Sequence, residues 1–161
     1  MKILSRILVA VTCITAISAS PVNAEKAPDF NLPARDGTVS LSDYRGRLVY
    51  VDFWASWCVP CRKSFPWMNA MHRNYEKYGL SIVAVNLDTD RNLADRFLEQ
   101  VPAEFTVAFD PSGKTAENYG VKVMPSSYIV NRDGDVVAIH KGFRAKDTAK
   151  LEKEIRQFLS N

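Results

Sequence analysis

Cys58 and Cys61, separated only by Val59 and Pro60, are the residues of this 161-residue chain best suited to chemistry. A C-x-x-C pair can be a redox dithiol, a small structural bridge, half of a zinc site, or a holder of a soft cation such as copper(I). A bridge closing so short a loop removes little chain entropy and is a poor staple. A structural zinc takes four ligands, and the only histidines, His72 and His140, are distant in sequence. Copper handling stays open as a reading of a different class, without an obvious further ligand cluster. Redox chemistry is favoured. A strand handing over to a helix at Cys58 sets its sulfur against free backbone N–H groups and the positive end of the helix dipole. Both favour the thiolate, the species that attacks a disulfide. Cys61, one turn further in, is less exposed but within reach.

Asp52 is the second candidate. It interrupts the apolar run Arg47 to Trp54, and a lone buried acid is costly unless it has a use, so a proton-handling role outweighs mere tolerance.

These residues need a frame. Arg47 to Trp54 reads as a central strand covered on both faces. Val59 to Tyr78 reads as a helix, with Pro60 tolerated in its first turn and Pro66 expected to kink it. Leu80 to Leu87 is a second buried strand, and Asn92 to Val101 a helix burying Leu93, Phe97, Leu98 and Val101. A strand at Phe105 to Phe109 and a short helix at Lys114 to Tyr119 follow. Ser127 to Val130 and Val136 to His140 flank the turn Asn131-Arg132-Asp133-Gly134 as a hairpin. Lys146 to Leu159 closes the chain as an amphipathic helix. Ahead of the central strand, Asp36-Gly37 is a turn between short extended pieces. The order implies an α/β sandwich, parallel strands first and an antiparallel hairpin at one edge.

The first 24 residues read as a targeting segment. Lys2 and Arg6 precede the apolar run Ile7 to Ile17, and Val22-Asn23-Ala24 suits a signal-peptidase site. Cleavage after Ala24 is favoured; an uncleaved membrane anchor is the alternative. Cys13 follows Thr12, a poor fit to a lipoprotein site, and leaves with the signal. Residues 25–161 then carry two cysteines, and the net charge falls from +3 to +1 with the loss of Lys2 and Arg6. So balanced a chain gives no support to a nucleic-acid role. Membrane contact is expected only if the leader stays attached.

Val51-Asp52-Phe53-Trp54-Ala55-Ser56-Trp57-Cys58-Val59-Pro60-Cys61 resembles the active-site segment of thioredoxins nearly residue for residue. Tyr119-Gly120-Val121-Lys122-Val123-Met124-Pro125 resembles their cis-proline segment. Ala27-Pro28-Asp29-Phe30-Asn31-Leu32, Gly37 to Leu41, and an added helix and strand between Asp88 and Asp110 are similar to the TlpA/ResA-like branch of exported thioredoxins. The resemblance implies a thioredoxin-like three-layer sandwich with a central mixed sheet, an N-terminal extension and a central helix–strand insertion.

It also implies roles. Cys58 matches the attacking cysteine and Cys61 the resolving one. Asp52 matches the acid that exchanges a proton with the resolving cysteine. Pro125, with the Met124 backbone, matches the element that pairs with an extended substrate, and Trp57 borders the docking surface. The Met124 side chain itself reads as packing. No cofactor and no metal are implied. Partners would be protein disulfides or dithiols and a membrane thiol reductase as electron donor, in the periplasm. Cytochrome c maturation and metal-centre assembly are the implied settings, with protein repair beside them.

Two positions depart from the pattern. Ala84 stands where thioredoxins place a lysine near the buried acid, and Ser64 where the branch often carries a glutamate. The direction expected is reduction, because neither Val59 nor Pro60 offers a cation or side-chain donor, unlike the histidine found there in strong oxidants. Run backward, the same steps make an oxidase. Peroxidase chemistry is disfavoured, since nothing resembles a peroxiredoxin's own cysteine motif.

Overall fold

β-Branched and aromatic runs become strands, and segments with helical spacing become helices, in the computed structural model, which describes residues 25–160. The expected signal segment, with its cleavage after Ala24, lies outside the described residues. A small antiparallel hairpin comes first, β1 (Asn31–Pro33) and β2 (Thr38–Ser40). Its turn closes through Ala34 N–H donating to the Gly37 carbonyl at 2.8 Å. Gly37 has φ +88°, a conformation that only glycine adopts without strain.

The main sheet holds β3 (Leu48–Trp54), β4 (Leu80–Asn86), β5 (Thr106–Phe109), β6 (Ser126–Val130) and β7 (Val136–Lys141), in the spatial order β5-β4-β3-β6-β7. β3, β4 and β5 run parallel, whereas β6 is antiparallel to β3 and forms the expected hairpin with β7. The central place of β3 explains its composition: all seven of its residues are buried, so both faces must be apolar.

Alternate residues of β3 feed two cores. Leu48, Tyr50 and Trp54 pack with Cys61, Phe65, Met68 and Met71 of α1 (Val59–Tyr75), Phe97 of α2 (Arg91–Gln100) and Ile155 of α4 (Thr148–Ser160). Val49, Val51 and Phe53 pack with Phe30, Leu41, Ala116 of α3 (Lys114–Asn118) and Tyr119. The result is the expected three-layer sandwich. The inserted helix and strand are α2 and β5.

Trp54, Phe65 and Phe97 meet with ring centroids 4.7–5.0 Å apart. Each such aromatic pair adds about 1 kcal/mol beyond its buried area. Cys61 belongs to the same core, so the cysteine pair rests on rigid packing.

Two details differ from the sequence reading. Leu93 is exposed; Ala94 takes the core position, one residue round the helix, with Phe97 and Leu98. As expected, α1 runs as one helix through Pro66, whose ring lies on the exposed side, where the carbonyl denied its N–H donor can turn to water. The helix also stops sooner, at Tyr75, and Glu76–Tyr78 tighten into a 3-10 turn ended by Gly79.

Candidate active site

The C-terminal end of β3 leads through a tight turn into α1. Cys58 N–H donates to the Ala55 carbonyl at 3.1 Å, which closes the turn. Cys58 is the helix N-cap, with extended backbone, and its Sγ accepts the Cys61 N–H at 3.2 Å. The same N–H also donates to the Cys58 carbonyl at 3.1 Å, so the sulfur shares a first-turn donor with the backbone, in the place a capping oxygen takes elsewhere. Pro60 sits in the first turn, where a missing N–H costs nothing. Cys58 and Cys61 form a disulfide with a Cα–Cα separation of 5.3 Å. Cys58 is 4% exposed and Cys61 is fully buried, so the first sulfur alone is approachable from outside.

Around this point the surface is apolar. Trp57 and Val59, on either side of Cys58, are 68% and 67% exposed, and Val123 is half exposed. The Met124–Pro125 peptide is cis. β6 begins at Ser126, which lies opposite Phe53 of β3, so Pro125 stands at the same end of the sheet as the Ala55–Cys58 turn. Pro125 is buried, its carbonyl accepts Gly142 N–H at 2.7 Å, and the half-buried Met124 packs against the core beneath. Trp57, Met124 and Pro125 are thus brought to one end of the molecule with Cys58.

Asp52 is 1% exposed and projects from the face of β3 that carries Tyr50 and Trp54, toward the core holding Cys61. Its cross-strand partners are Ser127 on β6 and Ala84 on β4. The Ser127 hydroxyl donates to Asp52 Oδ1 at 2.6 Å, and Oδ2 has no partner. Burial pushes the Asp52 carboxyl up to about 7, and the Ser127 hydrogen bond pulls the other way. Ala84 gives no cation at the position anticipated for one. Burial and the neighbouring Asp52 charge also hold the Tyr50 phenol well above its ordinary range. Ser64 is buried in α1 and spends its hydroxyl on the Cys61 carbonyl at 3.0 Å.

Asp88 was not singled out by the sequence reading. It is 5% exposed, just beyond β4, and accepts three hydrogen bonds, two of them from Ser56 in the turn before Cys58. A polar residue soon after a buried strand is a weak signal, and nothing local ties it to Ser56. His72 lies 3.6 Å from Glu76 and His140 2.9 Å from Glu154. Among the described residues no three His, Cys, Asp or Glu side chains gather as a metal site, and no helix is long and apolar enough to cross a membrane.

An N-capping cysteine disulfide-bonded to a buried one, beside a cis-proline and above a buried acid, matches what known proteins show. The chain matches the AhpC/TSA family over residues 24–139. It belongs to that family. The thiol-disulfide oxidoreductase ResA of Bacillus thuringiensis subsp. konkukian is 32% identical over 134 residues, covering 83% of this chain and 76% of that protein. ResA of Geobacillus thermodenitrificans is 33% identical over 129 residues, covering 80% and 74%. A crystal structure from Chlorobium tepidum, provisionally assigned as a thiol:disulfide interchange protein DsbE, is 56% identical. It superposes with a TM-score of 0.83 over 84% of this chain and 96% of that one. The fold is thioredoxin-like, and this member of the AhpC/TSA family is a ResA-like thiol–disulfide oxidoreductase.

Proposed function

We propose that this protein is an exported dithiol reductant of protein disulfides, with Cys58 as the attacking sulfur and Cys61 as the resolving one. The observation that carries the direction is the environment of Cys58 Sγ. The donor it has is the Cys61 backbone N–H at 3.2 Å, and the intervening Val59 and Pro60 add no cation or side-chain donor. A thiolate held mainly by a helix N-terminus is only moderately stabilised, which keeps the disulfide form competitive and the dithiol a good reductant.

The reaction then runs in two exchanges. The Cys58 thiolate attacks a substrate disulfide; one substrate sulfur leaves as a thiolate and the other forms a mixed disulfide with Cys58. Asp52 takes the proton from the Cys61 thiol, and the resulting thiolate attacks Cys58 Sγ. The second substrate sulfur leaves, and the Cys58–Cys61 disulfide remains. Two electrons pass to the substrate. A membrane thiol reductase is the class of partner that restores the dithiol. Asp52 suits its task because a carboxyl with a pKa near 7 can both take and return a proton at neutral pH.

Docking falls to the apolar rim of Trp57 and Val59 and to the Met124 main chain, which has no backbone hydrogen-bond partner among the described residues. An extended peptide can pair there beside Pro125. Proteins of cytochrome c maturation or metal-centre assembly are the substrates proposed, in the periplasm, after removal of residues 1–24.

Cys61→Ser tests the reading. The mixed disulfide can no longer resolve, so substrates stay bound through Cys58 and mass spectrometry names them. Adducts on Cys58 from periplasmic proteins support the proposal; a Cys61→Ser protein that traps nothing while the native protein reduces insulin overturns the assignment of a dedicated substrate.

A further inference from the structure

We propose that Asp88 is a positioning residue that holds the turn before Cys58 in the shape needed to stabilise its thiolate, a role that rests on Cys58 being the attacking sulfur. Asp88 Oδ2 accepts the Ser56 N–H at 2.8 Å and the Asn86 side-chain amide at 2.7 Å, and Oδ1 accepts the Ser56 hydroxyl at 2.9 Å. The Asp88 N–H in turn donates to Asn86 Oδ1 at 3.1 Å. One residue earlier, Leu87 N–H donates to the Trp54 carbonyl at 2.9 Å. The end of β4 therefore grips residues 54 and 56, on either side of Ala55, whose carbonyl closes the turn to Cys58.

Such a grip has a chemical consequence. The Cys61 N–H reaches Cys58 Sγ only while the turn delivers Cys58 to the N-cap. A loosened turn lets the sulfur drift, and a hydrogen bond at 3.2 Å weakens steeply with distance and angle. The same turn aims Trp57 outward. Asp88 acts on the reacting sulfur through Ser56, by geometry. Its charge works the opposite way, since a carboxylate near Cys58 disfavours a second anion.

That opposition gives the test a sign. The ionisable groups around Cys58 are Cys61, Arg62 and Lys63 on α1, Asp52 on β3, Lys122 on the loop before Met124, and Asp88. Arg62 is engaged by the Phe97 ring and Gln100. Asp88→Ala removes grip and charge together. Asp88→Asn removes the charge but can keep all three contacts: its carbonyl accepts the two N–H groups, and the Ser56 hydroxyl turns round to accept from its NH2. Ser56→Ala removes one hydrogen bond and no charge.

The experiment follows thiolate absorbance at 240 nm in the reduced full chain as a function of pH, with insulin reduction measured on the same samples. The Cys58 midpoint is expected to rise by about one pH unit in Asp88→Ala, a tenfold loss of thiolate relative to thiol. Ser56→Ala should move it the same way by about half as much, and Asp88→Asn should leave it in place or lower it. Insulin reduction should fall in the same order. A folded Asp88→Ala with an unmoved midpoint overturns the proposal, as does a downward shift common to both Asp88 variants. If Asp88→Ala does not fold, Ser56→Ala decides alone, an unmoved midpoint counting against the grip. Cys58→Ser separates the underlying reading: a low-pH thiolate signal that survives in it shows that Cys58 is not the attacking sulfur.

Discussion

Asp52 and Ser127 lie directly opposite each other on antiparallel strands, 75 residues apart in sequence, and the Ser127 hydroxyl donates to Asp52 Oδ1 at 2.6 Å. One carboxylate oxygen is thereby fixed, and the other is left unpartnered in the core below the cysteine pair. Where thioredoxins place a charged lysine, this site has a neutral hydroxyl on one side of the acid and the Ala84 methyl on the other.

Stability should show the cost of that arrangement. Burial raises the Asp52 pKa from 3.8 to about 7 in the folded protein. A raised folded-state pKa gives stability that is complete below the unfolded value and is lost as pH rises through the folded one. The oxidised protein should therefore lose up to about 4 kcal/mol from this group between pH 4 and pH 8. Asp52→Asn, neutral throughout, should match the native melting temperature near pH 4 and exceed it at pH 8. Equal pH dependence in the two proteins would contradict a buried acid titrating near neutrality.

Turnover should depend on the same group with the opposite preference. In the proposed relay Asp52 accepts the Cys61 proton only when ionised, so insulin reduction by the native protein should rise through about pH 7. In Asp52→Asn the part of that rise due to Asp52 should vanish, leaving the part set by the Cys58 thiolate, and the rate at pH 8 should drop by about 100-fold, the lower end of general-base contributions. A variant with the native pH profile would leave Asp52 a structural role alone.

Ser127→Ala tests the hydrogen bond separately. Losing a donor to the ionised form pushes the Asp52 pKa further up, so the inflection in the rate should move to higher pH with little change in the plateau. Movement to lower pH would mean that Ser127 does not favour the carboxylate.

The redox potential fixes the direction of the reaction. By analogy with thioredoxin, equilibration with glutathione should give roughly −270 mV. A value near about −120 mV, typical of a strong oxidant, would reverse the reductase assignment and leave the fold intact.

Export is checked by N-terminal sequencing of native material. A chain beginning at Glu25 and recovered from the periplasm is expected. An intact Met1 in the membrane fraction would establish the anchor instead.

What could be read in the sequence follows from which interactions are local. β3, β4 and the hairpin carry strong strand signals, and their ends fall within a residue of expectation. Cys58 and Cys61 are placed by three residues of spacing and a strand–helix junction. The partners of the acids are another matter. Ser127 meets Asp52 because β6 inserts beside β3, and Ser56 meets Asp88 because β4 ends beside the turn. Strand order decides both contacts, and strand order has no local signature. Leu93 went astray for a smaller reason: its spacing fits the apolar stripe, but α2 is rolled so that the smaller Ala94 packs instead.

The stretch from Glu25 to Tyr44 reaches both outer strands of the main sheet. Glu25 and Ala27 hydrogen-bond Val136 and Gly134 at the β7 flank, with Lys26 bonded to Asp135 at 2.7 Å. Ala34 bridges Ala108 of β5, and the Tyr44 hydroxyl meets Thr106 at 3.2 Å. Bare amide ladders at sheet margins recruit foreign strands. A chain starting at Asp36 would keep the cysteine turn and the Tyr44 contact but lose the Glu25, Ala27 and Ala34 contacts, which bares the start of β7 and part of β5 to pairing with a second copy.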